Sequence, residues 1–125
     1  EHNFKHVNLQ NGKLWALTNR NEIIAKADIN NLDSPLQPID DFLIKRKNIK
    51  KMFVSRTGNH CFMLAEHELF YNNWKDNQIL QIDKLLLESN KTQSYRPRAF
   101  RSLDIIYDDP EDDSFFEILL GTQDG

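Results

Sequence analysis

The chain has 125 residues, 39% hydrophobic and 28% charged, which is enough for one domain with a real core. Its net charge of -3 and pI near 5.8 give no global attraction for nucleic acid or an anionic membrane. The single cysteine, Cys61, excludes an internal disulfide and a self-contained cysteine-based zinc site, and it fits a reducing compartment.

In chain order, Phe4–Leu9 reads as a first strand, and Asn11-Gly12 as a type I′ hairpin turn, since both residues tolerate positive φ. Lys13–Thr18 is a largely apolar strand, Asn19-Arg20-Asn21 a turn, and Glu22–Asp28 a third strand. Asn30–Pro35 is a loop by composition, and Leu36–Leu43 a ragged outer strand where Pro38 is tolerable at an edge. The pattern then recurs. Ile49–Ser55 leads through the turn Arg56–Asn59 to His60–Ala65, then Glu68–Asn72, with Gln78–Ile82 as the outer strand. Leu85–Glu88 reads either as an extension of that strand or as a helical turn, and Ser89–Pro97 as a polar loop. A third unit begins at Phe100–Tyr107, crosses the acidic hairpin loop Asp108–Asp113, and continues in Phe115–Leu120.

Gly12 and Gly58 lie about 46 residues apart, close to the period of a propeller blade. The apolar runs are short, rich in Ile, Val, Phe and Tyr, and broken by Asn, Gly and Asp, which disfavours helix. The predicted fold is therefore all-β: a partial β-propeller of about two and a half four-stranded antiparallel blades, with units at 4–43, 49–83 and an incomplete 99–125. Glu1–Lys5 shows neither an initiator Met nor a signal-type apolar run, and Gly121–Gly125 halts on a turn with no returning strand. These features lead us to expect a piece of a longer protein; a native mass near 14.8 kDa would contradict that. No apolar stretch approaches the roughly 18 residues that span a bilayer.

The run Lys51–His60, then Phe70-Tyr71-Asn72, then Glu117–Gly125, resembles the deep orange family of vacuolar protein sorting subunits, the class C core of the HOPS and CORVET tethering complexes. Asn11–Leu17 and Glu22–Asp28 are similar to the preceding blade of that family, whereas Glu88–Arg98 and Asp108–Ser114 are longer and more polar than its pattern. The resemblance implies an N-terminal propeller in a non-enzymatic scaffold that also carries an α-solenoid and a RING-type zinc motif. Neither of those last two lies in this sequence. It further implies other tethering subunits as partners, peripheral membrane association, and a cytoplasmic location on late endosome, lysosome or vacuole membranes. The rival readings are a WD-repeat-like adaptor and a ligand-binding or enzymatic propeller of an unrelated pathway. The WD-repeat reading lacks its Gly-His…Trp-Asp signature here.

The candidate chemistry is sparse. His60 and Cys61 are neighbours on one strand, so their side chains point to opposite faces and do not share an ion; these two, with His67, His2 and His6, read as packing or surface residues. Asp108, Asp109, Glu111, Asp112 and Asp113 lack the ordered spacing of a calcium loop and read as a solvated hairpin. No metal or cofactor site is predicted. No phosphate loop, nucleophile elbow or His–carboxylate pair with a nucleophile is present in the sequence. Lys45, Arg46, Lys47, Lys50 and Lys51 form the one basic cluster, a candidate surface for an acidic headgroup or acidic partner segment. The plainer reading is a charged approach that protects an edge strand. Base-stacking aromatics are missing there, so nucleic acid is not an expected partner. Trp15 is expected in the core, and Trp74, on a turn, as an exposed contact.

Overall fold

The computed structural model describes residues 4–18, 24–31, 33, 37–39, 47–83, 100–109 and 112–122. Among them the regular structure is ten strands in three antiparallel sheets. The first sheet holds β1 (Phe4–Gln10), β2 (Lys13–Thr18), β3 (Ile24–Asp28) and β4 (Gln37–Ile39) in that spatial order. The second holds β5 (Lys51–Val54), β6 (His60–Leu64), β7 (Leu69–Asn73) and β8 (Leu80–Gln81), again in chain order. The third pairs β9 (Phe100–Asp109) with β10 (Asp112–Thr122). Each is a meander in which every strand pairs with the one before it. The all-β expectation is met.

The turns follow the residues. Asn11 and Gly12 both take positive φ, 52° and 75°, and join β1 to β2 with the shortest hairpin link. The β5–β6 connection is longer: Ser55 N–H donates to His60 O, Gly58 N–H to Ser55 O, and Gly58 sits at φ 78°. Pro38 falls on the edge strand β4, where a missing ladder donor costs nothing. The outer strand of the second sheet is shorter than the predicted Gln78–Ile82. Asp83 explains the early stop: its Oδ1 accepts from Leu69 N–H at 3.1 Å, doing for β7 what another ladder residue would have done.

One expectation needs correction. Asp108, Asp109, Asp112 and Asp113 do not form a long loop. β9 runs through Asp109 and β10 starts at Asp112, with Asp112 opposite Asp109. Strand pairing that holds Ile105 opposite Ile118 and Leu103 opposite Leu120 continues to the Asp109–Asp112 pair. Gly12 and Gly58 both sit in the turn between the first two strands of their own sheets, at matching points. Side chains alternate with period two, and the rows that correspond are Asn8–Trp15–Lys26 and Phe53–Phe62–Tyr71. The predicted elements at Asn19–Asn21, Leu85–Glu88 and Ser89–Pro97 lie outside the described residues.

The core is layered between sheets. Trp15, Leu17 and Ile39 of the first sheet pack against Met52, Cys61, Met63 and Phe70 of the second. On the opposite face of the second sheet, Phe62, Leu64 and Leu69, with Phe53 and Tyr71, meet Leu103, Ile105 and Ile118 of the third. β6 thus alternates its loyalty: Cys61 and Met63 face one neighbour, Phe62 and Leu64 the other. This is why Cys61–Leu64 is apolar without a break. Each large side chain so buried contributes about 1.5–3 kcal/mol.

Candidate functional site

The densest set of polar and aromatic groups lies on the seam between the first two sheets, at the end where the Gly12 and Gly58 turns meet. Trp15 is fully buried, and its Nε1–H donates to Gly58 O at 2.7 Å. Lys13 Nζ donates to Asn59 Oδ1 from the same side. A Cβ on Gly58 would run into Gln10 O and lie 2.8 Å from Lys13 Cβ, so the second turn approaches the first hairpin as closely as a backbone allows.

Lys26 is the centre of the seam. It sits in β3 directly beside Trp15, and the register turns its side chain toward the second sheet. Its Nζ donates to Trp74 O at 2.6 Å and Asp76 O at 2.8 Å. The ammonium also lies 5.7 Å from the Trp15 ring centre and 5.6 Å from that of Trp74, in cation–π range of both. The two indoles meet edge to face, 5.5 Å apart at 76°. Burial lowers the Lys26 pKa below its ordinary value, against the opposing pull of Asp76.

The loop that receives Lys26 is fixed by its own bonds. Asp76 N–H donates to Asn73 Oδ1 at 2.8 Å, and Gln78 N–H to Asp76 Oδ1 at 2.9 Å. Asn72, buried behind it, donates to Asp76 O and Gln78 O, while its Oδ1 has no hydrogen-bond partner. Beside this loop a cleft of about 350 Å³ opens between Asp28, Asn31 and Gln37 of the first sheet and Trp74, Lys75 and Asn77 of the second. Its wall is amide, indole and mixed charge, a surface suited to hydrogen-bonded contact. Trp74 is half-buried within the seam, not the freely exposed contact that its turn position suggested, because the opposing Trp15 and Lys26 hold it.

The basic cluster is elsewhere. Lys50 and Lys51 are exposed at the start of β5, and Lys47 pairs with Glu68 at 3.0 Å, which offsets part of its charge. Lys51 pairs with Leu64 in the ladder, whereas Trp74 N–H bonds Asn59 O, so the cluster and Trp74 occupy opposite ends of the second sheet. Lys45 and Arg46 lie outside the described residues, as do the side chains of Asp108, Asp109, Glu111, Asp112 and Asp113. His60 stacks on Tyr71, Nδ1 to Oη 2.7 Å, on the face turned toward the third sheet. Cys61 faces the first sheet, fully buried, and burial pushes its thiol pKa up, so it is no nucleophile near neutral pH.

Sequence reasoning missed Lys26 and Lys13. The signal for Lys26 was present: one cation inside the apolar run Ile23–Ala27. Comparison with protein-family models, with curated proteins and with solved structures gives no match for this chain.

Proposed function

We propose that the three sheets are consecutive blades of a β-propeller, and that the domain acts by holding other proteins and performs no bond-making chemistry. The observation that carries this reading is the second sheet, covered on one face by the sheet before it in the chain and on the other by the sheet after it. A two-layer sandwich leaves one face of each sheet to solvent, whereas serial stacking of meanders in chain order is how blades pack.

The resemblance of Lys51–His60, Phe70-Tyr71-Asn72 and Glu117–Gly125 to the deep orange family gives the platform its setting. We place it in a subunit of an endosome, lysosome or vacuole tethering complex, cytoplasmic and peripheral to the membrane, with other subunits of that complex as partners. The seam around Trp15, Lys26 and Trp74 supports such a role, since its hydrogen bonds tie the Gly58 turn and the Trp74–Asp76 loop of the second sheet to the first. Affinity purification of the protein at its natural length tests the reading. Class C tethering subunits are expected to co-purify in stoichiometric amount; their absence, with the bait folded, would overturn it.

A further inference from the structure

The row that crosses the first sheet from Trp15 through Lys26 ends at Gln37 on the edge strand β4. Along it the surroundings change from core to rim: Trp15 is fully buried, Lys26 is 5% exposed, and Gln37 is open to solvent. Lys26 and Gln37 both line the cleft beside the Trp74–Asp76 loop, so Lys26 brings a cation to it from the inside. An ammonium carries three N–H donors. Trp74 O and Asp76 O take two of them, and among the described residues no further acceptor meets the third. Nor does any carboxylate of the described residues come within ion-pair distance of Lys26. The Asp76 carboxylate, whose Oδ1 accepts from Gln78 N–H, acts on it only from a distance. A buried charge without a counter-ion is costly, and the lowered pKa of Lys26 records that cost.

We infer that the cleft is a docking site for an acidic segment of a partner protein, with an aspartate or glutamate carboxylate of that segment seated on the third N–H of Lys26. Charge specifies the carboxylate. Lys26 and Lys75 face Asp28 across the described wall, a positive balance in a chain whose net charge is -3. The amides specify the segment. Asn31, Gln37 and Asn77 line the same cleft, and each offers both donor and acceptor, as the N–H and C=O groups of a main chain require. Size agrees: about 350 Å³ lies at the small end of ligand cavities and takes a few residues, not a folded surface. Trp74 is no open platform for a sugar or a flat ring. The ammoniums of Lys13 and Lys26 each lie 5.6 Å from its ring centre, and Trp15 meets it edge to face. The inference rests on the protein-holding platform and not on the tethering role.

Calorimetric titration of the natural-length protein with blocked serine pentapeptides tests it, the central residue being aspartate in one peptide and asparagine in the other. The aspartate peptide is expected to bind at least about tenfold tighter, the weight of one hydrogen bond to a charged group. Gln37→Glu sets a carboxylate of the chain's own in the row beside Lys26, at an exposed position. It should weaken binding of the aspartate peptide by about tenfold or more, through like-charge repulsion and competition for Lys26. Lys51→Gln, at the opposite end of the second sheet, should leave binding unchanged. Lys26→Met should erase the preference for aspartate; if it does not fold, Gln37→Glu carries the test. Equal binding of the two peptides, or no heat from either up to about 10 mM, where a millimolar site is filled, would overturn the inference. So would a loss in Lys51→Gln that Gln37→Glu does not share, and so would acetate binding as tightly as the aspartate peptide. Peptide binding without co-purifying tethering subunits would remove only the tethering role, and no peptide binding with those subunits present would remove only this site.

Discussion

Replacing Gly58 with Ala separates the close approach of the two sheets from the local demands of a turn. Gly58 has φ 78°, and an L-residue in that left-handed region costs about 1–2 kcal/mol. The added methyl would also meet Gln10 O and lie 2.8 Å from Lys13 Cβ, both on the first hairpin, where the obstructing atoms are backbone or stem and cannot swing aside. Overpacking of that kind costs roughly 1–3 kcal/mol more, for a total of about 2–5 kcal/mol. Gly12→Ala is the control. Its φ is 75°, so the conformational cost is the same, but the methyl would meet only the end of the exposed Asn30 side chain, which can rotate away. Urea unfolding of the two variants reads the difference directly, provided the slope m is unchanged. The Gly58 variant should be less stable than the Gly12 variant by about 1–3 kcal/mol, the overpacking contribution alone. Because both tryptophans of the chain lie on this seam, its emission should also shift red while that of the Gly12 variant does not. Equal destabilisation with unshifted emission would refute the packing of the Gly58 turn on the first sheet.

Lys26→Met keeps the aliphatic stem but removes the donor that Trp74 O depends on; Asp76 O retains Asn72 Nδ2. A part-buried carbonyl that loses its charged donor predicts a loss of about 1 kcal/mol, measured by the same unfolding curves. Cys61 should resist Ellman's reagent in the native protein and react only at the rate of unfolding, because it is fully buried. Its raised thiol pKa also fixes the sign of a pH effect. The unfolded chain ionises first, so stability present below the ordinary thiol value of 9.0 falls as pH rises past it, and Cys61→Ala should flatten that fall.

The strands and their order were legible because each is announced locally. Asn11-Gly12 demands a turn of one hand, Pro38 demands an edge, and the unbroken Cys61–Leu64 run demands cover on both faces. The seam was not legible, and the reason is parity. Side chains in a strand alternate, so carrying the Gly12-to-Gly58 spacing on to Trp15 lands one residue off the register and assigns matching residues to opposite faces. The second hairpin carries a longer turn than the first, and Trp15 consequently matches Phe62, not Cys61. Only with that register in hand does Lys26 fall beside Trp15 and inside the structure, where it looks from the sequence like one more surface cation. The same register places the exposed Val7 and Leu9 on the side of the first sheet turned away from the second. A buried cation and two exposed aliphatics are thus both consequences of register about β2. A variant that slipped β1 by one residue would turn Val7 and Leu9 toward the second sheet, while Lys26, paired with Trp15 through β3, would keep its place.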